Sequence, residues 1–156
     1  MAEQAPVRDI RHDALAVFLG DWKADGTSYG GTDQSGDPKA NGVPWTSTHT
    51  GRWHTGDFFL LQDERAKLDR AAVFDTLSIM GVDPDTGEYF VRSFENHGFY
   101  RHYDLTCDGN RWLLAGATEQ AMIEFRDENR TQVISWEWKP GETWLPLCDR
   151  IAVRTD

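Results

Sequence analysis

Cysteine is scarce in this chain: Cys107 and Cys148 are the only two among 156 residues. Two widely separated thiols give neither a metal-ligand spacing nor a disulfide scaffold. They read as reduced, partly buried thiols, with a single disulfide as the alternative. Long apolar runs are also missing. The best stretch, 14–19, is about six residues, far from the ~20 a membrane helix needs. It follows Arg8, Asp9, Arg11, His12 and Asp13, and a secretory signal carries no acids ahead of its apolar core. These absences predict a soluble, cytoplasmic protein. Basic charge is in deficit: 16 Lys plus Arg against 26 Asp plus Glu leave a net charge of −10. A nucleic-acid binder displaces phosphate counterions with a basic face, and an anionic membrane asks for the same. Both partners are therefore disfavoured. There is no Gly-x-Ser-x-Gly elbow and no reactive-cysteine context for nucleophilic catalysis. Repeats of solenoid or propeller period are lacking too.

Aromatic residues are abundant. Seven Trp, eight Phe and four Tyr make up 12% of the chain, within an apolar fraction of 39%. That is enough for one folded domain spanning 1–156. So many indoles in a small domain imply either a wide aromatic core or an aromatic-lined cavity.

The spacing of Ile10, Leu15, Phe18 and Leu19 predicts a short helix over 9–19, with Gly20 able to end it in a left-handed cap. After Gly20 the pattern changes. Ten runs rich in Trp, Phe, Tyr, Val, Ile and Thr alternate with turn signals. They cover 21–29, 45–54, 58–66, 73–82, 88–96, 99–106, 111–116, 120–125, 131–139 and 144–154. Asp83-Pro84-Asp85-Thr86-Gly87 is the clearest turn, because Pro presets φ and Gly accepts φ > 0. The segment 30–44 is the long loop, and its place after the first strand suits a lid over a barrel mouth or an ordinary flexible loop. A helix followed by ten meandering strands predicts an all-β, antiparallel, up-and-down barrel, since closure removes exposed sheet edges.

Alternation within these runs puts aromatic and polar residues on both faces. In 131–139 one face carries Val133, Ser135 and Glu137 and the other Ile134, Trp136 and Trp138. A mixed, partly wet lumen produces this pattern, as does an outer face that covers a subunit interface. If Glu137 faces the lumen, it is a buried acid in need of a partner, and Arg101 or Arg150 can supply one. The candidate ligand-binding set is Arg101, His102, Tyr103, Glu137, Arg150 and Trp53. Among the histidines, His97 and His102 flank the turn at Gly98, and with Glu95 or Asp104 they form only the seed of a metal site. His49 and His54 are five apart on one strand and so face opposite ways. No metal and no cofactor are expected.

Gly20-Asp21-Trp22 directly after a short helix resembles the first strand of lipocalins, where such a tryptophan packs at the closed end of the barrel. The wider run 18–27, Phe-Leu-Gly-Asp-Trp-Lys-Ala-Asp-Gly-Thr, resembles the opening of the bacterial family catalogued as domain of unknown function 1579. Residues 56–60, 77–89 and 110–116 are similar to that family as well. The resemblance implies a calycin-like barrel with an N-terminal helix across one mouth, and no established activity. Gly20-Asp21-Trp22 and Gly26 also look like the nitrobindins, which bind haem through a histidine near the C-terminus. Here the last histidine is His102, so the chain departs from that pattern.

Three readings follow from the sequence. The first is a binding module that holds a small apolar or aromatic molecule. The second is a cavity enzyme of isomerase or cyclase type using a buried acid–base pair. The third is a filled barrel whose outer aromatics, Trp136 and Trp138 among them, build a homodimer.

Overall fold

A computed structural model describes residues 3–69 and 72–156. After the helix α1 (Ile10–Ala14) and a 3-10 turn (Leu15–Phe18) come ten strands. They are β1 (Gly20–Ser28), β2 (Val43–Trp53), β3 (Phe59–Leu68), β4 (Ala72–Val82), β5 (Tyr89–Glu95), β6 (Tyr100–Asp108), β7 (Arg111–Ala115), β8 (Glu119–Arg126), β9 (Thr131–Trp138) and β10 (Leu145–Arg154). Each strand pairs antiparallel with its sequence neighbours, and β10 returns to β1, so the sheet closes into a barrel. The expected all-β, up-and-down barrel is therefore present.

The helical segment differs from the expectation. Asp9 caps α1 by accepting from the Arg11 amide at 2.9 Å, and His12 Nδ1 accepts in return from the Asp9 amide at 3.1 Å. These reciprocal bonds satisfy amides that a helix start leaves orphaned. Only five residues stay α-helical, and Ile10 is exposed rather than on the buried face. The buried pair is Leu15 and Phe18, spaced i, i+3 as a 3-10 turn aligns them. Leu19 is already extended, and Gly20 uses its φ of +113° to open β1 rather than to cap the helix.

This turn plugs one end of the barrel. Phe18 sits edge-on to Trp112 and to Phe125, each at 5.2 Å between centroids. Trp22, Leu60, Leu15 and Ala152 complete a buried apolar layer around it. Gly51 makes the plug fit, because a Cβ there would stand 2.0 Å from the Phe18 carbonyl oxygen. Tyr89 ties the helix down from β5 by donating to the Arg11 carbonyl at 2.8 Å.

Burial settles which faces point inward. Trp22, Ala24, Gly26 and Ser28 of β1 face in, as do Trp45, Ser47 and His49 of β2 and Gln62, Glu64 and Ala66 of β3. On β9 the inward set is Gln132, Ile134, Trp136 and Trp138, and Ser135 and Glu137 are exposed. That corrects two expectations. Glu137 does not face the lumen: it is outside, within 3.3 Å of Gln120. Trp136 and Trp138 do not cover an outer interface. The physical reason is area, since the lumen face that buries Ile134 and two indoles removes far more apolar surface from water than its alternative. Phe59, Phe94, Phe99 and Tyr100 are the exposed aromatics, with Phe94 and Tyr100 5.3 Å apart on β5 and β6.

Candidate functional site

Above the plug the lumen is not filled. It holds a cavity of about 560 Å³, within the range of small-molecule sites. The wall carries Trp45, Phe74, Trp136 and Trp138 towards the mouth and Met80, Leu105, Ile123 and Phe18 towards the plug. The loop between β1 and β2 folds onto the rim, where Gly30 and Gly31 join the lining. Gln34 pins that loop in two directions. Its amide donates to the Pro146 carbonyl at 2.8 Å, and its Oε1 accepts from the Trp138 indole at 3.0 Å. Lys39 adds an ion pair with Asp149 at 2.8 Å.

Two ionic groups are set into this apolar wall. The deeper one joins β2, β3 and β10. Arg150 Nη1 donates to Glu64 Oε2 at 3.2 Å and to Oε1 at 3.4 Å. The Arg150 guanidinium also lies 5.0 Å from the centre of the Trp45 ring, a cation–π distance. Arg150 reaches across β1 to do this because its neighbour there is Gly26. A Cβ on Gly26 would stand 2.0 Å from the Asp149 carbonyl oxygen and 2.6 Å from Arg150 Cβ.

His49 lies opposite Glu64 in the β2–β3 register. Its Nδ1 is 4.0 Å from Glu64 Oε2, too far for a hydrogen bond. Its ring stacks on Trp22 at 5.9 Å with planes 9° apart. Burial holds the imidazole pKa down at about 4, with Arg150 adding to the effect and Glu64 opposing it. His49 is therefore neutral at physiological pH.

The sign of the pH dependence follows. The unfolded chain takes a proton at His49 near pH 6.5, and the folded chain does so only near 4. Between those values the unfolded state binds more protons, so stability falls as pH drops through the window. The loss should approach about 3 kcal/mol by pH 4. His49→Phe keeps a flat ring on Trp22 and removes the titration. The wild-type stability from urea unfolding minus that of the variant, taken pH by pH, should change only between pH 4 and 6.5 and level off on either side. A difference flat across that window would contradict a buried neutral His49.

The second ionic group lies at the mouth. Arg101 approaches Glu119 at 3.4 Å, and Tyr103 donates its hydroxyl to the same carboxylate at 3.0 Å. Burial and Glu119 together raise the Tyr103 pKa well above its ordinary value, so the phenol stays protonated. Cys148 also faces the lumen, its thiol pushed up to about 11 by burial, and Cys107 is exposed on β6; neither is in a disulfide.

The sequence-derived set divides accordingly. Arg101, Tyr103 and Arg150 line the cavity. His102 does not, because it alternates with Arg101 and Tyr103 and points outward, exposed, from β6. Glu137 is outside for the same reason. Trp53 packs against the core at the plugged end, with Arg8 5.1 Å from its ring, and is not part of the cavity wall. His97 pairs with Glu95 rather than meeting His102. His49 faces in, but β2 ends at Trp53, so His54 lies beyond the strand expected to carry both, exposed in the turn that follows.

Sequence reasoning passed over His49 as a lumen ligand contact, and Glu64, Gln132 and Trp45 altogether. The available signal was the alternation of Trp45, Ser47 and His49 along one face, which the antiparallel register sets opposite Gly26, Ala24 and Trp22. No family model and no curated protein matches the chain.

Proposed function

We propose that this protein binds a small, predominantly apolar or aromatic molecule inside the barrel. The carrying observation is the cavity itself: about 560 Å³, walled by aromatic side chains, Trp45, Phe74, Trp136 and Trp138 among them, and closed by a plug beneath. A packed structural core leaves few voids larger than a water molecule. A lumen that keeps this volume while exposing Trp136 and Trp138 to it is organised for an occupant. The reading of a filled barrel dimerising through those indoles loses the residues it relied on. Membership of the calycin-like family of unknown function 1579 is part of this proposal, supported by a closed meander with a helix at one end. So is a cytoplasmic location: no described helix is long and apolar enough to cross a membrane, and the exposed Cys107 thiol suits a reducing compartment.

A titration with Nile red, a neutral apolar dye, tests the reading. The wild type should give saturable enhancement of dye emission. Ser93 is a small residue on the cavity wall, with Ser78 opposite it on β4. Ser93→Phe should fill the lumen and weaken dye binding at least tenfold, with the melting temperature kept or raised. Equal binding by the two proteins would place the dye elsewhere and remove the support.

A further inference from the structure

We infer that the ligand carries an uncharged hydrogen-bond acceptor, of the carbonyl type, which is received by Trp45, His49, Gln132 and Arg150 in the interior of the barrel. The inference rests on the binding reading above and adds the chemical class of the occupant.

The first support is an excess of buried donors. Trp45 Nε1, Gln132 Nε2, Arg150 Nε and both ring nitrogens of His49 are buried, with no hydrogen-bond partner among the described residues. All four residues line the one cavity. His49 and Gln132 are 3% and 2% exposed. Buried polar groups are nearly always paired, and each one left unpaired carries a desolvation penalty. Trp45, Gln132 and Arg150 offer N–H groups here. Neutral His49 adds one more donor and one acceptor nitrogen. The set has more donors than acceptors, so a group that only accepts is what it lacks, and one oxygen with two lone pairs takes up two of these N–H groups.

The second support is the charge balance. Arg150 is already answered by Glu64 at 3.2 Å and Arg101 by Glu119 at 3.4 Å. The cavity wall holds three carboxylates, Glu64, Glu95 and Glu119, against two guanidiniums. An anionic head group would enter a lumen with no spare positive charge, in a chain of net charge −10, and would meet Glu64 at the point of contact. Burying a charge without a partner is costly. The head group is therefore neutral. Phe74, Trp136 and Trp138, nearer the mouth, then take the body of the molecule, which gives it a direction: acceptor inward, ring outward.

Three tricyclic probes that share one skeleton and differ at the same carbon test this by isothermal titration calorimetry: fluorene, 9-fluorenone and fluorene-9-carboxylate. The wild type should bind fluorenone at least about tenfold more tightly than fluorene, since one well-made hydrogen bond in a buried site is worth that factor. It should bind the carboxylate more weakly than the ketone. Gln132→Leu and His49→Phe each remove donors and keep an apolar side chain, and each should reduce the ketone preference, read as the ratio of fluorenone to fluorene affinity on the same protein, severalfold. Equal affinity for ketone and hydrocarbon, with saturable binding of both, would overturn the inference and leave the binding function standing. A preference for the carboxylate would overturn the neutral head group. Failure of all three probes, together with failure of Nile red, would overturn both readings. If one variant does not fold, the other still decides the point.

Discussion

Replacing Arg150 with Met should cost the fold about 4 kcal/mol, while replacing Arg150 with Met and Glu64 with Leu together should cost much less. The asymmetry comes from what each change leaves behind. Arg150 and Glu64 have side chains only 10% and 15% exposed and face each other across β1 and β2. Removing the guanidinium alone strands a carboxylate among Trp45, His49 and the apolar wall, and stranding a buried charge typically costs about 3–5 kcal/mol. Removing both groups strands nothing, and apolar replacements of such pairs are often close to neutral. Urea unfolding of the wild type, the two single variants and the double variant gives the coupling energy directly. A coupling of about 2 kcal/mol or more is expected. Arg150→Lys should recover only part of the loss: an ammonium can replace the single Nη1 contact with Glu64 but cannot lie flat over the Trp45 ring as the guanidinium does. Additive single effects would mean that the pair is screened by water and does not hold the site together.

Trp22→Ala should be comparably damaging, at about 4 kcal/mol, for a different reason. The Trp22 side chain is 1% exposed and belongs to the plugged end rather than to the cavity. It stacks on His49, lies edge-on to Phe125 at 6.3 Å, and donates its indole N–H to the Leu19 carbonyl at 3.2 Å. Truncation to Ala therefore loses the transfer energy of an indole, opens a void under the polar group, and frees an acceptor at the end of the 3-10 turn. In a domain of this size the melting temperature should fall by about 10 °C. Trp22→Phe keeps the ring contact and loses the hydrogen bond, so it should cost about 1–2 kcal/mol. Trp53→Ala offers a contrast, because Trp53 is only partly buried and leans on the core from outside the cavity; about 1–2 kcal/mol is expected. A Trp22→Ala cost no greater than that of Trp53→Ala would show that the plug does not depend on this side chain.

The strands were readable because their ends carry chemistry. Asp83-Pro84-Asp85-Thr86-Gly87 bounds β4 and β5, and Gly87 adopts a φ of +75° that a side chain would resist. Cys107-Asp108-Gly109-Asn110 bounds β6 and β7 in the same way, with Gly109 at +62°. The helix was less readable. Its apolar residues suggested about three turns of α-helix over 9–19, but the contacts that decide the geometry are Phe18 against Trp112 and Phe125, on strands about a hundred residues away in sequence. No local pattern contains them.

The lumen was half readable for a similar reason. Arg101, Tyr103 and Arg150 sit at alternating positions whose inward face can be guessed from Leu105 and Ala152. His49 and Glu64 are single polar residues on separate strands. Only the β2–β3 register brings them together, and only barrel closure carries Arg150 to them from the far end of the chain. Glu137 misled because it is flanked by two indoles. A charged residue between aromatics invites a buried role, whereas in a strand the flanking pair goes in and the charge goes out.

The central claim is that the lumen is a binding cavity, and native mass spectrometry tests it most directly. Wild type and Ser93→Phe, which differ in mass, are mixed with limiting Nile red and sprayed from one solution. The account predicts one dye molecule on the wild type and at most about a tenth of that occupancy on Ser93→Phe in the same spectrum. Equal occupancy of the two proteins, or none on either, would contradict it.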